Sequence, residues 1–294
     1  MTARRFLRRV LLAALLCALL VSAALAADSI ADPLRLLDDA VTARQTSFFV
    51  SLTDGESSTR DELIENIKAH IWETWVDVSP RILANYDMDQ RGVSTLKITL
   101  RYAEKTGDYD KALEEAVSAC IRNGMTDLEK TASIYSWLAD TIVPTAGRDT
   151  AYEALVDQRA DCFGFAAAFR AIAREAGLEC VLVRGTYASK EHAWNAVKIG
   201  ETWYYVDASR ADSAWTPGHA DYAYLLFGTD KSGYSATIED ENITISSGAH
   251  DLGVERWRLF SPLILIENEF WLVLRNNSGT ALYSVPYGAD FAER

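Results

Sequence analysis

The sequence is poor in cysteine and histidine, the residues that bind zinc, and in clusters of positive charge. It has four cysteines and four histidines in 294 residues. His70 stands on a predicted helix with no second histidine or cysteine at ligand spacing, so we expect no metal there. No basic stripe with interleaved aromatic residues is present, and a formal charge of −13 would repel phosphate. These absences exclude nucleic acid as a partner, whereas the 49% of hydrophobic residues suffices for a sizeable core.

The first residues differ in composition from the rest of the chain. An apolar run, residues 10–25, follows four arginines: Arg4, Arg5, Arg8 and Arg9. Small residues end the run, so residues 1–27 are predicted to be a signal peptide cleaved near Ala26, and the mature protein to be secreted or held in the cell envelope. Loss of the four arginines would take the formal charge from −13 to −17. An uncleaved membrane anchor is the alternative, because about 17 apolar residues can span a bilayer.

The cysteines are interpreted in the light of this predicted export. With Cys17 in the leader, three cysteines remain in an oxidising compartment. An odd number leaves one thiol free, and Cys162 is the natural candidate. Cys120 and Cys180 either form a disulfide or are separate buried hydrophobic residues, and their apolar surroundings favour the second alternative.

Three regions are expected after the leader. Residues 28–125 form an N-terminal region of helices and strands, including a half-buried strand where apolar and polar residues alternate from Leu96 to Tyr102. A core domain, residues 126–240, opens with a capping box formed by Thr126 and Glu129. Its last part, DYAYLLFGTD, is predicted to be a further strand. Residues 241–294 contain short β segments separated by turns and are predicted to be a small β extension.

Cys162 is predicted to lie at the N-terminus of a helix. Phe165, Phe169, Ile172 and Ala176 follow at helical spacing, and Gly177 ends the pattern. The unpaired N–H groups and the positive end of the helix dipole favour a thiolate there, which is the reactive form of cysteine. Small residues after Cys162 allow another element to approach closely.

The segment from His192 to Asp207 is predicted to be a β-hairpin that supplies this second element. Gly200 and Glu201 suit a two-residue type II′ turn between an apolar strand and the strand TWYYV. This register makes His192 and Asp207 diagonal neighbours on one face, with Cβ atoms roughly 7–8 Å apart. Cys162, His192 and Asp207 could then act as a nucleophile, a base and a group that orients the base.

These motifs resemble the transglutaminase-like superfamily, whose fold is that of papain-type cysteine proteases. The resemblance covers about residues 126–234 and rests on the segments DCFGFAAAF, HAWNAV and WYYVDAS. It implies an α+β fold in which the helix of the nucleophile packs on an antiparallel sheet. It also implies that Cys162 is the nucleophile, His192 the general base and Asp207 the third member of a catalytic triad.

The predicted reaction is acyl transfer through a thioester on Cys162, which needs no metal or organic cofactor. The substrate is a protein or peptide, and the outcome is cross-linking, deamidation or proteolysis. Gln158 is a candidate oxyanion donor beside the backbone N–H of Cys162, and Trp194 a candidate wall of the substrate cleft. The alternative is a non-catalytic exported binding or scaffold protein with the same fold. The sequence does not specify the oligomeric state.

Overall fold

A computed structural model describes most of the chain between Asp32 and Pro286. The described residues are 32–52, 57–81, 86–88, 94–211, 221–236, 238, 240–250, 258–259, 264–266, 269–276 and 279–286. They fall into two compact units, the first within Met1–His70 and Pro80–Arg101, the second within Ile71–Ser79 and Tyr102–Arg294. The predicted signal peptide lies outside the described residues. Within them, no helix is long and apolar enough to cross a membrane.

The first unit combines helices with a small antiparallel sheet. Its elements are helix α1 (Pro33–Thr42), strand β1 (Ser47–Leu52), most of helix α2 (Ser57–Thr74), strand β3 (Tyr86–Met88) and most of strand β4 (Ser94–Tyr102). Strand β2 (Val78–Arg81) spans the border between the units. Asp32 caps α1 by accepting a hydrogen bond from the N–H of Leu34 at 3.0 Å. Both β1 and β3 pair antiparallel with β4, and Ile98 is fully buried, as the alternation predicts.

The second unit holds the predicted core domain. Its helices are α3 (Tyr109–Cys120), α4 (Asp127–Thr141), α5 (Ala151–Leu155) and α6 (Cys162–Glu175). Two short strands, β5 (Val143–Pro144) and β6 (Arg159–Ala160), pair in parallel. The predicted capping box of α4 is present, because Thr126 Oγ1 accepts from the N–H of Glu129 and the Glu129 carboxylate accepts from the N–H of Thr126.

The main sheet of this unit is antiparallel. Its order is β10-β7-β8-β9, from strands β7 (Cys180–Tyr187), β8 (Lys190–Ile199), β9 (Thr202–Val206) and β10 (Tyr234–Ala236). Ile199 pairs with Thr202 as predicted, and the turn between them has a positive φ of 60° at Gly200. Glycine adopts this conformation without the steric cost of a Cβ.

Helix α6 packs against this sheet and against α4. Phe165, Phe169 and Ile172 are almost completely buried, so the stripe that the sequence predicts does face the core. Gly177 ends the helix with a φ of 79°. The predicted fold is confirmed: the chain has an α+β core in which the helix that begins at Cys162 packs on an antiparallel sheet.

Two expectations need correction or completion. The segment DYAYLLFGTD is not a strand: Asp221 accepts a hydrogen bond from the N–H of Ala223, and this side-chain bond starts a 3₁₀ turn, Tyr222–Tyr224. Only Phe227 makes a bridge to Tyr205. The alternatives for Cys120 and Cys180 are also resolved, because both are free, buried thiols and burial raises the pKa of each to about 12.

The C-terminal β segments are present as antiparallel strands. They are β11 (Arg258–Leu259), β12 (Ile264–Ile266), β13 (Glu269–Asn276) and β14 (Gly279–Pro286). Strand β13 pairs with the other three. The expected β extension is therefore confirmed at the level of backbone pairing.

Candidate active site

Cys162 is the first residue of α6. Asp161 precedes it as the N-cap, and its carboxylate accepts hydrogen bonds from the N–H groups of Phe163 and Gly164 at 3.1 and 3.4 Å. The thiol is half-buried. Asp161 accepts from the second and third N–H groups of the helix, so among the described residues the N–H of Cys162 has no hydrogen-bond acceptor and can face a bound carbonyl oxygen.

His192 and Asp207 form a hydrogen bond at the open end of the hairpin. His192 Nε2 lies 2.6 Å from Asp207 Oδ2, and the two side chains are 12% and 1% exposed. Cys162 lies near His192 and interacts with it electrostatically, and Nδ1 is the ring nitrogen that does not bond Asp207. The structure thus brings together the three side chains that the sequence predicts, in the order thiol, imidazole, carboxylate.

The environment of His192 favours the imidazolium. Burial alone would lower the pKa of this histidine, but the hydrogen bonds and negative charges of Asp207 and Cys162 together raise it from 6.5 to about 9. At neutral pH the ring therefore carries a proton between the sulfur and the carboxylate. This is the arrangement in which a histidine can stabilise a thiolate and later release a proton to a leaving group.

Two further residues hold the Asp207 carboxylate. Ser209 donates to Oδ1 from its hydroxyl at 2.6 Å and from its backbone N–H at 3.1 Å. The hydroxyl of Tyr234 donates to Oδ2 at 2.6 Å. Because a buried carboxylate is stable only when it is hydrogen-bonded, these donors keep Asp207 in place.

Aromatic rings pack around the imidazole of His192. Trp194 stacks on His192 with centroids 5.8 Å apart, and Tyr187 and Tyr234 lie at 5.6 and 6.1 Å. Gly185 pairs with His192 across the sheet. A Cβ on Gly185 would lie 2.2 Å from the backbone oxygen of Ser235 and 2.8 Å from the Trp194 ring, so only glycine lets β10 approach at this point.

Close contacts also fix the helix of Cys162 relative to the strand of His192. Asn195 Nδ2 donates to the backbone oxygen of Ala166 on α6 at 2.9 Å. On another side of the helix, a Cβ at Gly164 would lie 2.5 Å from the backbone oxygen of Arg148. The small residues after Cys162 therefore admit the hairpin, as expected, and also the loop that precedes α5.

Neither secondary candidate is hydrogen-bonded through its side chain to Cys162, His192 or Asp207 in the described structure. Gln158 is exposed on the turn before β6, with a positive φ of 54°, and its backbone oxygen accepts from the N–H of Val143 at 2.8 Å. Trp194 is 1% exposed and supports the imidazole from within the core. The oxyanion role of Gln158 and the cleft role of Trp194 both stay predictions. Among the described residues, no three potential ligands converge as a metal site would require.

Comparison with known proteins identifies the domain that carries the site. Residues 114–208 match the family model of the transglutaminase-like superfamily. This part of the chain is thus similar to that superfamily. The match includes Cys162, His192 and Asp207, the residues on which the resemblance in the sequence motifs rests.

Individual known proteins show low sequence identity to this chain. The chain is 27% identical over 162 residues to the human kyphoscoliosis peptidase. The aligned segment covers 46% of this chain and 24% of the human protein. The chain thus spans about a quarter of the length of this curated relative. Among solved structures, a TGase has a TM-score of 0.31 at 12% identity, covering 55% of this chain and 50% of that chain. The arylamine N-acetyltransferase NAT3 of Bacillus cereus has a TM-score of 0.29 at 15% identity. The superposition covers 64% of this chain and 75% of the acetyltransferase.

Sequence reasoning missed the residues that support Asp207. Ser209 could have been found, because a serine two residues after an aspartate is a common partner of its side chain in turns. Tyr234 had no local signal. Its contact depends on the pairing of β10 with β7, which brings Tyr234 opposite Tyr187.

Proposed function

We propose that the protein is an exported thiol acyl-transfer enzyme that acts on carboxamide or peptide bonds of a protein or peptide. The observation that carries this proposal is the grouping of Cys162, at the N-terminus of α6, with His192, which is hydrogen-bonded to Asp207. A binding protein would have no need for an imidazolium between a thiol and a buried carboxylate. The extracytoplasmic location rests on the predicted leader alone.

The proposed reaction begins with attack of the Cys162 thiolate on the substrate carbonyl carbon. The carbonyl π bond opens, and its oxygen becomes an oxyanion facing the N–H of Cys162. The intermediate then collapses, the carbon–nitrogen bond breaks, and His192 transfers its proton to the leaving amine. A thioester remains on Cys162, while Asp207 holds the imidazole in the orientation that both proton transfers use.

The second half of the reaction releases the acyl group. Water or a second amine attacks the thioester carbonyl, and His192 accepts the proton of this nucleophile. The carbon–sulfur bond breaks and the Cys162 thiolate is restored. Attack by water gives deamidation or proteolysis, and attack by an amine gives cross-linking. The human relative is named a peptidase, so peptide bonds belong among the substrates to be tested.

The test is mass spectrometry of the products formed by the full chain and by its Cys162→Ala variant. Each is incubated with a glutamine-rich protein, with and without a primary amine probe. Incorporation of the probe, a mass increase of about one unit at glutamine, or backbone cleavage is expected with the wild type and absent with the variant. Product formation that persists in Cys162→Ala would refute the proposal, and so would a wild type that forms none with a panel of glutamine and peptide substrates.

A further inference from the structure

The carboxylate of Asp207 receives hydrogen bonds on both oxygens. Oδ2 is shared by His192 Nε2 and the hydroxyl of Tyr234, each at 2.6 Å. Oδ1 receives the hydroxyl and the N–H of Ser209. A carboxylate offers about four acceptor positions, so these four donors occupy the group completely. His192 and Tyr234 therefore share a single acceptor oxygen atom.

The ring of Tyr234 is fixed independently of its hydroxyl. It lies 4.6 Å from Tyr187, 4.7 Å from Phe227 and 5.1 Å from Trp194, measured between ring centroids. The backbone of β10 pairs with β7, which holds the ring from a second side. Since the ring cannot easily turn away, the hydroxyl is directed at Asp207. Burial and the negative charge of Asp207 raise the pKa of Tyr234, so the phenol keeps its proton and acts as a donor throughout the neutral range.

We propose that Tyr234 is a positioning residue, whose hydroxyl holds the Asp207 carboxylate against His192 and limits how tightly this carboxylate binds the imidazolium. The inference rests on the proposed function, because it assigns a role within the same site. A donor on Oδ2 withdraws negative charge from the oxygen that faces His192. The imidazolium then releases its proton to a leaving amine more easily than it would beside a carboxylate held by Ser209 alone.

Other charged and titratable groups around this site stay constant in the test. Cys162 of α6 and Tyr187 of β7 contact His192. Tyr135 of α4 interacts electrostatically with Asp207. Beside the tyrosines lie Arg210 in the 3₁₀ turn Ala208–Arg210, Tyr224 in the turn Tyr222–Tyr224, and Lys231. None of the substitutions used below alters these groups.

The experiment is an NMR titration of the full chain labelled with ¹³C-histidine, in which the His192 signal is assigned by its loss in His192→Gln. Tyr234→Phe keeps the ring and removes only the hydroxyl. The midpoint of the His192 titration is expected to rise by about 0.5 to 1 pH unit, because Asp207 then directs more negative charge at the imidazolium. Tyr205→Phe is the matched control: Tyr205 belongs to the same aromatic group and packs on Trp194 and Phe227, and in the described structure its hydroxyl is not hydrogen-bonded to Asp207.

Each result decides the proposal. An upward shift in Tyr234→Phe with no shift in Tyr205→Phe supports it. An unchanged or lower midpoint in Tyr234→Phe overturns it, since a purely structural tyrosine would alter the melting temperature without this shift. If Tyr234→Phe does not fold, Ser209→Ala removes a hydroxyl donor from the same carboxylate, and a midpoint that does not rise there also overturns the proposal. The titration needs no substrate, so it is independent of whether the Cys162-dependent products are found.

Discussion

At the scale of single residues, the raised pKa of His192 links the charges of the site to the stability of the fold. Its pKa of about 9 lies above the 6.5 of an ordinary histidine because Asp207 and Cys162 outweigh the effect of burial. The folded chain therefore binds a proton at this residue more strongly than the unfolded chain does. Such a group stabilises the fold fully below pH 6.5, and the stabilisation is lost as pH rises through about 9.

The first prediction follows from this linkage and compares wild type with His192→Gln. The stability contributed by protonation of His192, on the order of 2–3 kcal/mol, should decrease as pH rises from neutral to above 9, because the folded protein loses the proton. The wild-type free energy of unfolding, measured by urea denaturation, should fall relative to that of His192→Gln across this interval. A constant difference between the two proteins would show that the folded histidine is not titrating there.

At the scale of secondary-structure elements, the site depends on how closely β10 approaches β7. Gly185 lies where the backbone of β10 and the Trp194 ring leave no room for a Cβ. Because Tyr234 is on β10, the same approach brings the phenol to Asp207. One glycine thus connects the packing of the sheet to the hydrogen bonds of the carboxylate.

The second prediction concerns Gly185→Ala. A Cβ there would meet the backbone oxygen of Ser235 and the ring of Trp194, neither of which is the end of a flexible side chain. The substitution should therefore lower the free energy of unfolding by about 1–3 kcal/mol and separate Tyr234 from Asp207. Urea denaturation measures the first effect, and the His192 titration the second. Gly248→Ala is the control, since a Cβ on Gly248 would meet no atom within 4 Å. Equal stability of the two variants would contradict the argument from close approach.

The sequence predicts those parts of the site that local patterns encode. The helix at Cys162 follows from an apolar stripe and a glycine stop, and the hairpin follows from Gly200 and two apolar strands. Tyr234 could not be found in this way, because its partner lies in a different strand and turn. The strand predicted in DYAYLLFGTD failed because the side chain of Asp221 outweighs the apolar composition that follows it.

At the scale of the whole molecule, the compact unit that holds the site also includes residues 71–79 from the N-terminal region. Within this unit, the carboxylate of Glu73 pairs with Arg170 and Arg174 on α6, and Arg170 also donates to the backbone oxygen of Trp72. Burial lowers the pKa of Arg170, and Glu73 opposes that effect. Ion pairs therefore connect residues 71–79 to the helix of Cys162. The domain boundary expected at residue 126 stays a prediction.

The third prediction tests this connection with Glu73→Gln. The Arg170 side chain is 10% exposed, and it would lose its carboxylate partner, so the free energy of unfolding should fall by about 1–3 kcal/mol. Glu115→Gln is the control, because Glu115 pairs with Lys111 at 3.7 Å and both side chains are well exposed. This control should unfold at nearly the wild-type urea concentration. A loss of the same size in both variants would mean that Glu73 contributes no more than an ordinary surface charge.

The most direct test of the central claim is the rate at which iodoacetamide alkylates Cys162 at about pH 6, in wild type and in His192→Gln. Peptide mass spectrometry identifies the modified cysteine, and the buried thiols Cys120 and Cys180 serve as internal controls. If Cys162 and His192 form a thiolate and imidazolium pair, wild type should react at Cys162 faster than at Cys120 and Cys180, and roughly tenfold or more faster than His192→Gln does at Cys162. Equal rates in the two proteins would contradict the account of Cys162 as a nucleophile activated by His192.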